Sequence, residues 1–149
     1  MTKRSIPHDA FIFVGDGRKA LFLRNDGDAQ IANFVTERVF VDDNPPTHDQ
    51  GTDRPGRTYQ SDHSGSRSAV EATDWHAIEE TRFVERGSAA LEDLVRSRGV
   101  RSLVIAAPPR ALADLRQALH ADVKTKIIAE IDKDFTKIPV WEIEKHIIG

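Results

Sequence analysis

"RSLVIAAPPRALADLRQALH", Arg101–His120, decides how this chain is read. Arg101 to Ala107 form a short continuous apolar run, the pattern of a strand covered on both faces. Pro108 and Pro109 follow at once and suit a first helical turn, where their missing N–H groups are not needed. Leu112, Leu115 and Leu119 then recur as one apolar stripe. A strand running straight into a helix predicts a crossover to a parallel neighbour, so the sheet has a parallel component.

Toward the C-terminus, "VKTKIIAEI", Val123–Ile131, alternates Val123, Thr125 and Ile127 as a strand does. It would complete a βαβ unit, although its charged spacing also tolerates a helix. "PVWEIEKHII" predicts a short terminal helix with Val140, Ile143 and Ile147 on one face. Toward the N-terminus, Thr73 or Asp74 is the expected N-cap of a long helix. Trp75, Ile78, Phe83, Ala90, Leu91, Leu94 and Val95 make its apolar stripe, with the stop at Gly99. Gly87 on that stripe marks an expected close approach of another backbone, and Trp75 and Trp141 are expected as packing anchors. "AFIFVGDGRKALFLRN", Ala10–Asn25, reads as a hairpin with Phe11 and Phe13 alternating and Asp16-Gly17 as a type I′ turn. "QIANFVTERVFV", Gln30–Val41, adds a third strand. The expected fold is α/β: a single domain, residues 1–149, with a mixed sheet, an N-terminal antiparallel meander, a long polar loop over 42–74, a βαβ unit and flanking helices.

Composition bounds the function. At 149 residues, 39% hydrophobic and 30% charged, the chain suits one soluble domain. Without cysteine it has neither disulfides nor thiolate metal sites. No apolar run approaches the roughly 20 residues a bilayer requires, and "MTKRSIPHDA" lacks the apolar stretch of a secretory signal. A cytoplasmic protein is expected. The net charge of −3 gives no global attraction to nucleic acid, leaving only a local basic site for such a partner.

The 33 residues from Asp42 to Asp74 hold Val70 as their single large aliphatic side chain. Long loops in compact domains are usually functional or disordered. "NPPTHDQGTDRPGRTYQS", "SRSAVEATD", "VIAAPPRALADLR" and "EIDKDFT", in that order, resemble the bacterial host attachment protein family, required for attachment to host cells. The resemblance runs from about Phe11 to Ile148. Its pattern falls on Asp16 and Gly17, on Asn44 and Pro45, and on Gly51 to Arg57. It then touches Ser61, Arg67, Ala69, Glu71 and Asp74, and Ala107 to Arg110 with Leu115 and Arg116. Glu130, Lys133, Asp134 and Thr136 complete it. Departures are Ala113-Asp114 in place of a Gly-Glu pair, Phe135 in place of Leu, and a longer stretch before Phe11.

The same resemblance extends distantly to the middle domain of archaeal and eukaryotic class-1 release factors and of Pelota. It implies an α/β fold and a link to ribosomes. The release factors' Gly-Gly-Gln tripeptide is missing, since the chain has no Gly-Gly pair. The resemblance therefore transfers no catalytic residues.

Candidate sites follow from residue chemistry. Asp53-Arg54-Pro55-Gly56-Arg57 sets two arginines on either side of a tight bend. Arg54, Arg57 and Arg67 could converge on an anion, because guanidinium matches phosphate and carboxylate. Alternatively, the seven acids between Asp42 and Asp74 pair with them and brace the loop. Arg110, at the start of the helix after "AAPP", would add charge to the free N–H groups there. It lacks the glycine-rich loop of a nucleotide turn, so a plain structural connection is the alternative. His48, Asp49, Asp53, His63, Asp74 and His76 offer metal ligands without a zinc spacing. Ser61, Asp62 and His63 lack the separation of a triad. No metal or cofactor is expected.

The preferred reading is a non-catalytic intracellular binding protein of the host-attachment family, with Asn44–Asp74 as recognition surface toward a protein partner or anionic ligand; two alternatives stand beside it. One is a translation-linked ribosome or RNA binder without Gly-Gly-Gln chemistry. The other is a small metal-assisted hydrolase.

Overall fold

The computed structural model describes residues 4–41 and 65–149, and for 65–74 it describes the helical backbone only. The elements run β1 (Phe11–Gly15), β2 (Lys19–Asn25), β3 (Phe34–Val41), α1 (Gly65–Arg98), β4 (Leu103–Ala106), α2 (Pro109–Ala118), α3 (Ala121–Lys124), β5 (Ile127–Ile131) and α4 (Val140–Ile148). The five strands lie in the order β3-β2-β1-β4-β5. β1 pairs antiparallel with β2 and β2 with β3, while β4 runs parallel to both β1 and β5. The meander, the parallel unit and the mixed α/β sheet are those expected from the sequence.

Every residue of β1 and β4 is buried, because helices cover both faces of the sheet. Phe11, Phe13, Leu103 and Ile105 point to one side, where Phe83, Leu91 and Val95 of α1 and Leu112 and Leu115 of α2 meet them. Ile12, Val14, Val104 and Ala106 point to the other, against Ile143 and Ile147 of α4, Ile6 and Phe135. Arg4 ties the N-terminal segment to α4, its N–H donating to the carbonyl of Ile148 at 2.8 Å. Asn25 is fully buried. Its amide donates to the carbonyls of Ile6 (2.9 Å) and Pro7 (3.2 Å) and accepts from the N–H groups of Gly27 (3.0 Å) and Asn33 (2.9 Å). One polar side chain thus satisfies the backbone of two crossing segments, a requirement of any buried loop.

Several local expectations give way to tertiary facts. The Asp16-Gly17 turn is not type I′: neither residue has positive φ. The Asp16 N–H donates to the carbonyl of Lys19 at 2.9 Å, which makes Gly17 and Arg18 the central pair. The Asp16 carboxylate accepts the N–H groups of Arg18 (2.7 Å) and Lys19 (2.8 Å), so a side chain holds the turn. Gly17 is needed for space: a Cβ there would stand 2.7 Å from Cγ of Glu80 on α1.

Helix α1 begins at Gly65, so Thr73 and Asp74 lie inside it and are not its cap. At about 1.5 Å per residue its 34 residues extend roughly 50 Å, nearly twice the length of an eight-residue strand. Its N-terminal part therefore overhangs the sheet. Trp75 and Ile78 are exposed for that reason, and Trp141 is 62% exposed on α4. Neither tryptophan anchors the core; their rings lie beneath Arg82 and Lys145 instead. Gly87 faces the rings of Phe13 and Phe40 at ordinary contact distance, and among the described residues no backbone atom outside its own helix is nearer to it than these rings. Val123–Ile131 divides into α3 and β5, and β3 starts at Phe34, later than the Gln30 expected.

Candidate functional site

β1 and β4 lie side by side, parallel, with Val14 level with Ala106. Beyond that point the chain from β1 turns back into β2, whereas the chain from β4 enters α2 and crosses to β5. Connections that depart in opposite directions leave a crevice at the carboxyl ends of the strands, the usual ligand position in open α/β sheets. A cleft of ≈ 340 Å³ lies there. The β1–β2 turn contributes Asp16, Gly17 and Arg18 to its wall, α1 contributes Glu80 and Val84, and Lys137 follows β5. The start of α2 supplies Pro108, Arg110, Ala111 and Asp114.

The acids and bases of this wall are held differently. Besides its turn bonds, Asp16 accepts the hydroxyl of Thr136 at 3.2 Å. That hydroxyl also lies 2.6 Å from Asp134, which accepts the Thr136 N–H at 2.9 Å. Thr136 is buried, so this link fixes the segment after β5 against the β1–β2 turn. Asp114 accepts the hydroxyl of Thr81 at 3.3 Å, joining α2 to α1. Arg18, Arg110 and Lys137 are exposed. Among the described residues none of these three side chains has a hydrogen-bond or ion-pair partner.

The local sequence explains the α2 end. Pro108 is the N-cap and Pro109 the first helical residue, with no side chain capping them. Neither proline has an N–H, so the free helix-end donors are those of Arg110 and Ala111, both in the cleft wall. Farther along α2, Arg116 pairs with Glu130 of β5, which raises the arginine's pKa.

Of the residues expected to bind, Arg110 is in this cleft. Asp53, Arg54 and Arg57 lie outside the described residues. Arg67 falls in the first turn of α1, not in a loop, and its side chain lies outside the described residues. His48, Asp49, Ser61, Asp62 and His63 are outside as well, as is the side chain of Asp74, and His76 is exposed on α1. No group of three or more potential metal ligands occurs among the described residues.

Sequence reading missed Arg18 and Lys137, and it took Asp16-Gly17 for hairpin chemistry alone. One signal was available. Asp16, Asp134 and Thr136 all belong to the pattern that carries the family resemblance, and they meet across 120 positions of chain.

The fold and the crevice define a class: an open-sheet α/β domain with a charged cleft at the carboxyl ends of its parallel strands. Within that class the chain belongs to bacterial archaeo-eukaryotic release factor family 12, whose model matches residues 9–147. The release-factor likeness read in the sequence is therefore the supported part of the resemblance. No curated protein matches the chain. Among the described residues no helix is long and apolar enough to cross a membrane.

Proposed function

We propose that this protein is a translation-linked factor that binds the ribosome or its RNA and does not use Gly-Gly-Gln hydrolysis. The observation that carries this reading is the release-factor family match along nearly the whole chain. The lack of any Gly-Gly pair removes the tripeptide on which hydrolysis by that chemistry depends. With a net charge of −3, contact with RNA has to be local. In this reading Arg54, Arg57 and Arg67 meet phosphate, Asp53 shapes their bend, and Arg110 adds a further contact. Such a partner places the protein in the cytoplasm.

The narrower host-attachment resemblance is a second reading, favoured by its four motifs in order. It makes the same 44–74 stretch the recognition surface for a protein partner.

Co-sedimentation with bacterial ribosomes at low and high salt tests the first reading, beside an Arg54→Ala/Arg57→Ala variant. Association that weakens with salt and is lost in the variant is expected, because phosphate contacts release counterions. A wild-type protein that stays in the supernatant at every salt concentration overturns it.

A further inference from the structure

We propose that the cleft at the carboxyl ends of β1 and β4 is a binding site for a phosphate monoester carried on ribose. This inference does not depend on the ribosome reading, which rests on the family match and on the 44–74 arginines; Arg110 alone is common to both. Three observations point to it.

The first is charge without partners. Arg18, Arg110 and Lys137 reach the wall of one cleft from three separate segments, and none has a counter-ion among the described residues. The acids beside them do not serve as counter-ions by contact. Asp16 is engaged by two N–H groups and a hydroxyl, and Asp114 by the hydroxyl of Thr81. Gathered cations repel one another unless an anion joins them, and arginine and lysine are the side chains that hold phosphate.

The second is the balance of charge. Asp16, Glu80 and Asp114 stand in the same wall as the three cations. Formally the lining is neutral, so its three cations can meet the charge of a monoester but leave the heavier charge of a triphosphate uncompensated. Carboxylates at such a site accept hydrogen bonds from hydroxyls. Glu80 is suited to that role, since no hydrogen bond or ion pair engages it among the described residues. Its side chain lies over Gly17, where any larger residue would displace it.

The third is size and support. A volume of ≈ 340 Å³ lies within the range of small-molecule sites. The wall is also built on rigid parts: the buried Thr136 hydroxyl locks the β1–β2 turn to the segment that bears Lys137.

A ribose phosphate can come from a free nucleotide or from the phosphorylated end of an RNA strand. Isothermal titration of the full-length protein distinguishes them. The probes are the four nucleoside 5′-monophosphates, the corresponding nucleosides, inorganic phosphate, and a short RNA with and without a 5′-phosphate. Saturable binding of a phosphorylated probe is expected, with its unphosphorylated counterpart at least about tenfold weaker. The monophosphate arm and the RNA arm then say which source the cleft accepts. Arg18→Ala/Lys137→Ala is expected to weaken binding about tenfold or more, a change of about 1.4 kcal/mol or more, while its melting temperature stays that of the wild type. Glu80→Gln is expected to weaken the nucleotide more than inorganic phosphate. Failure of every phosphorylated probe to bind at millimolar concentration overturns the proposal. So does equal affinity for inorganic phosphate and nucleotide, or unchanged affinity in the double variant. Ribosome co-sedimentation of the double variant separates the two proposals, because loss of nucleotide binding with association retained assigns the cleft and the loop arginines to different partners.

Discussion

The two ends of the sheet use arginine in opposite ways. At the amino end of β1, Arg24 is held by Glu37 at 2.9 Å, Asp26 at 3.0 Å and Asp9 at 3.1 Å. Arg98 reaches the same Glu37 at 3.3 Å and lies over the ring of Phe11. At the carboxyl end, Arg18 and Arg110 have no such partners among the described residues, and Asp16 and Asp114 hold N–H groups and hydroxyls instead. A cation surrounded by carboxylates is a brace whose work is finished when the chain folds. A cation left facing a cleft retains its capacity for an anion. Residue type does not separate the two cases; the geometry of the acids around them does.

The contrast can be broken by experiment. The largest effect is expected beside Arg24, at Asn25. Asn25→Ala leaves buried carbonyls and N–H groups of two segments unpaired, costing about 3 kcal/mol. For a chain of this size that lowers the melting temperature by roughly 6–12 °C, readable by calorimetry. Arg24→Ala comes next. It strips Glu37, which is 21% exposed, of its closest partner and should cost about 2 kcal/mol by chemical denaturation.

Acid sharpens the comparison further. Hydrogen bonding to Arg24, followed by the fields of Arg24 and Arg98, holds the Glu37 carboxyl below its ordinary range. The N–H groups of Ile31 and Gln30 do the same for Asp28. Both depressions stabilise the fold fully above the unfolded carboxylate pKa of about 4, and that contribution is lost as pH falls through the lower folded values. Wild-type stability should therefore drop below about pH 4, and Arg24→Ala should flatten the Glu37 part of that drop. The smallest effect belongs to the carboxyl end: Arg18→Ala, Arg110→Ala and Lys137→Ala should each leave the melting temperature within about 2 °C. If Arg110→Ala destabilises the protein as much as Arg24→Ala does, the distinction between brace and site collapses.

Much of the scaffold was legible because it depends on local pattern. The apolar run at Leu103–Ala106 and the Leu112/Leu115/Leu119 stripe are local signals, and β4 and α2 of the parallel unit follow from them. The cleft was legible only at Arg110, since its other parts come from three distant segments. The hairpin turn was misread for a related reason. Asp-Gly tolerates positive φ, but the Asp16 carboxylate here accepts the turn's own N–H groups, and Glu80 of a remote helix occupies the space over Gly17. Trp75 shows the converse, an apolar position at helical spacing that lies beyond the end of the sheet it was expected to cover.

The sequence by itself determined the class and order of the main elements and the burial of β4 on both faces, because hydrophobic patterning is a property of neighbours along the chain. It also excluded thiolate chemistry and the Gly-Gly-Gln tripeptide, which are matters of composition. Only the tertiary structure decided which charges neutralise one another. Pairing depends on distances of a few ångströms between segments far apart in sequence, such as the 120 positions between Asp16 and Thr136. The brace at one end of the sheet and the open cleft at the other follow from that.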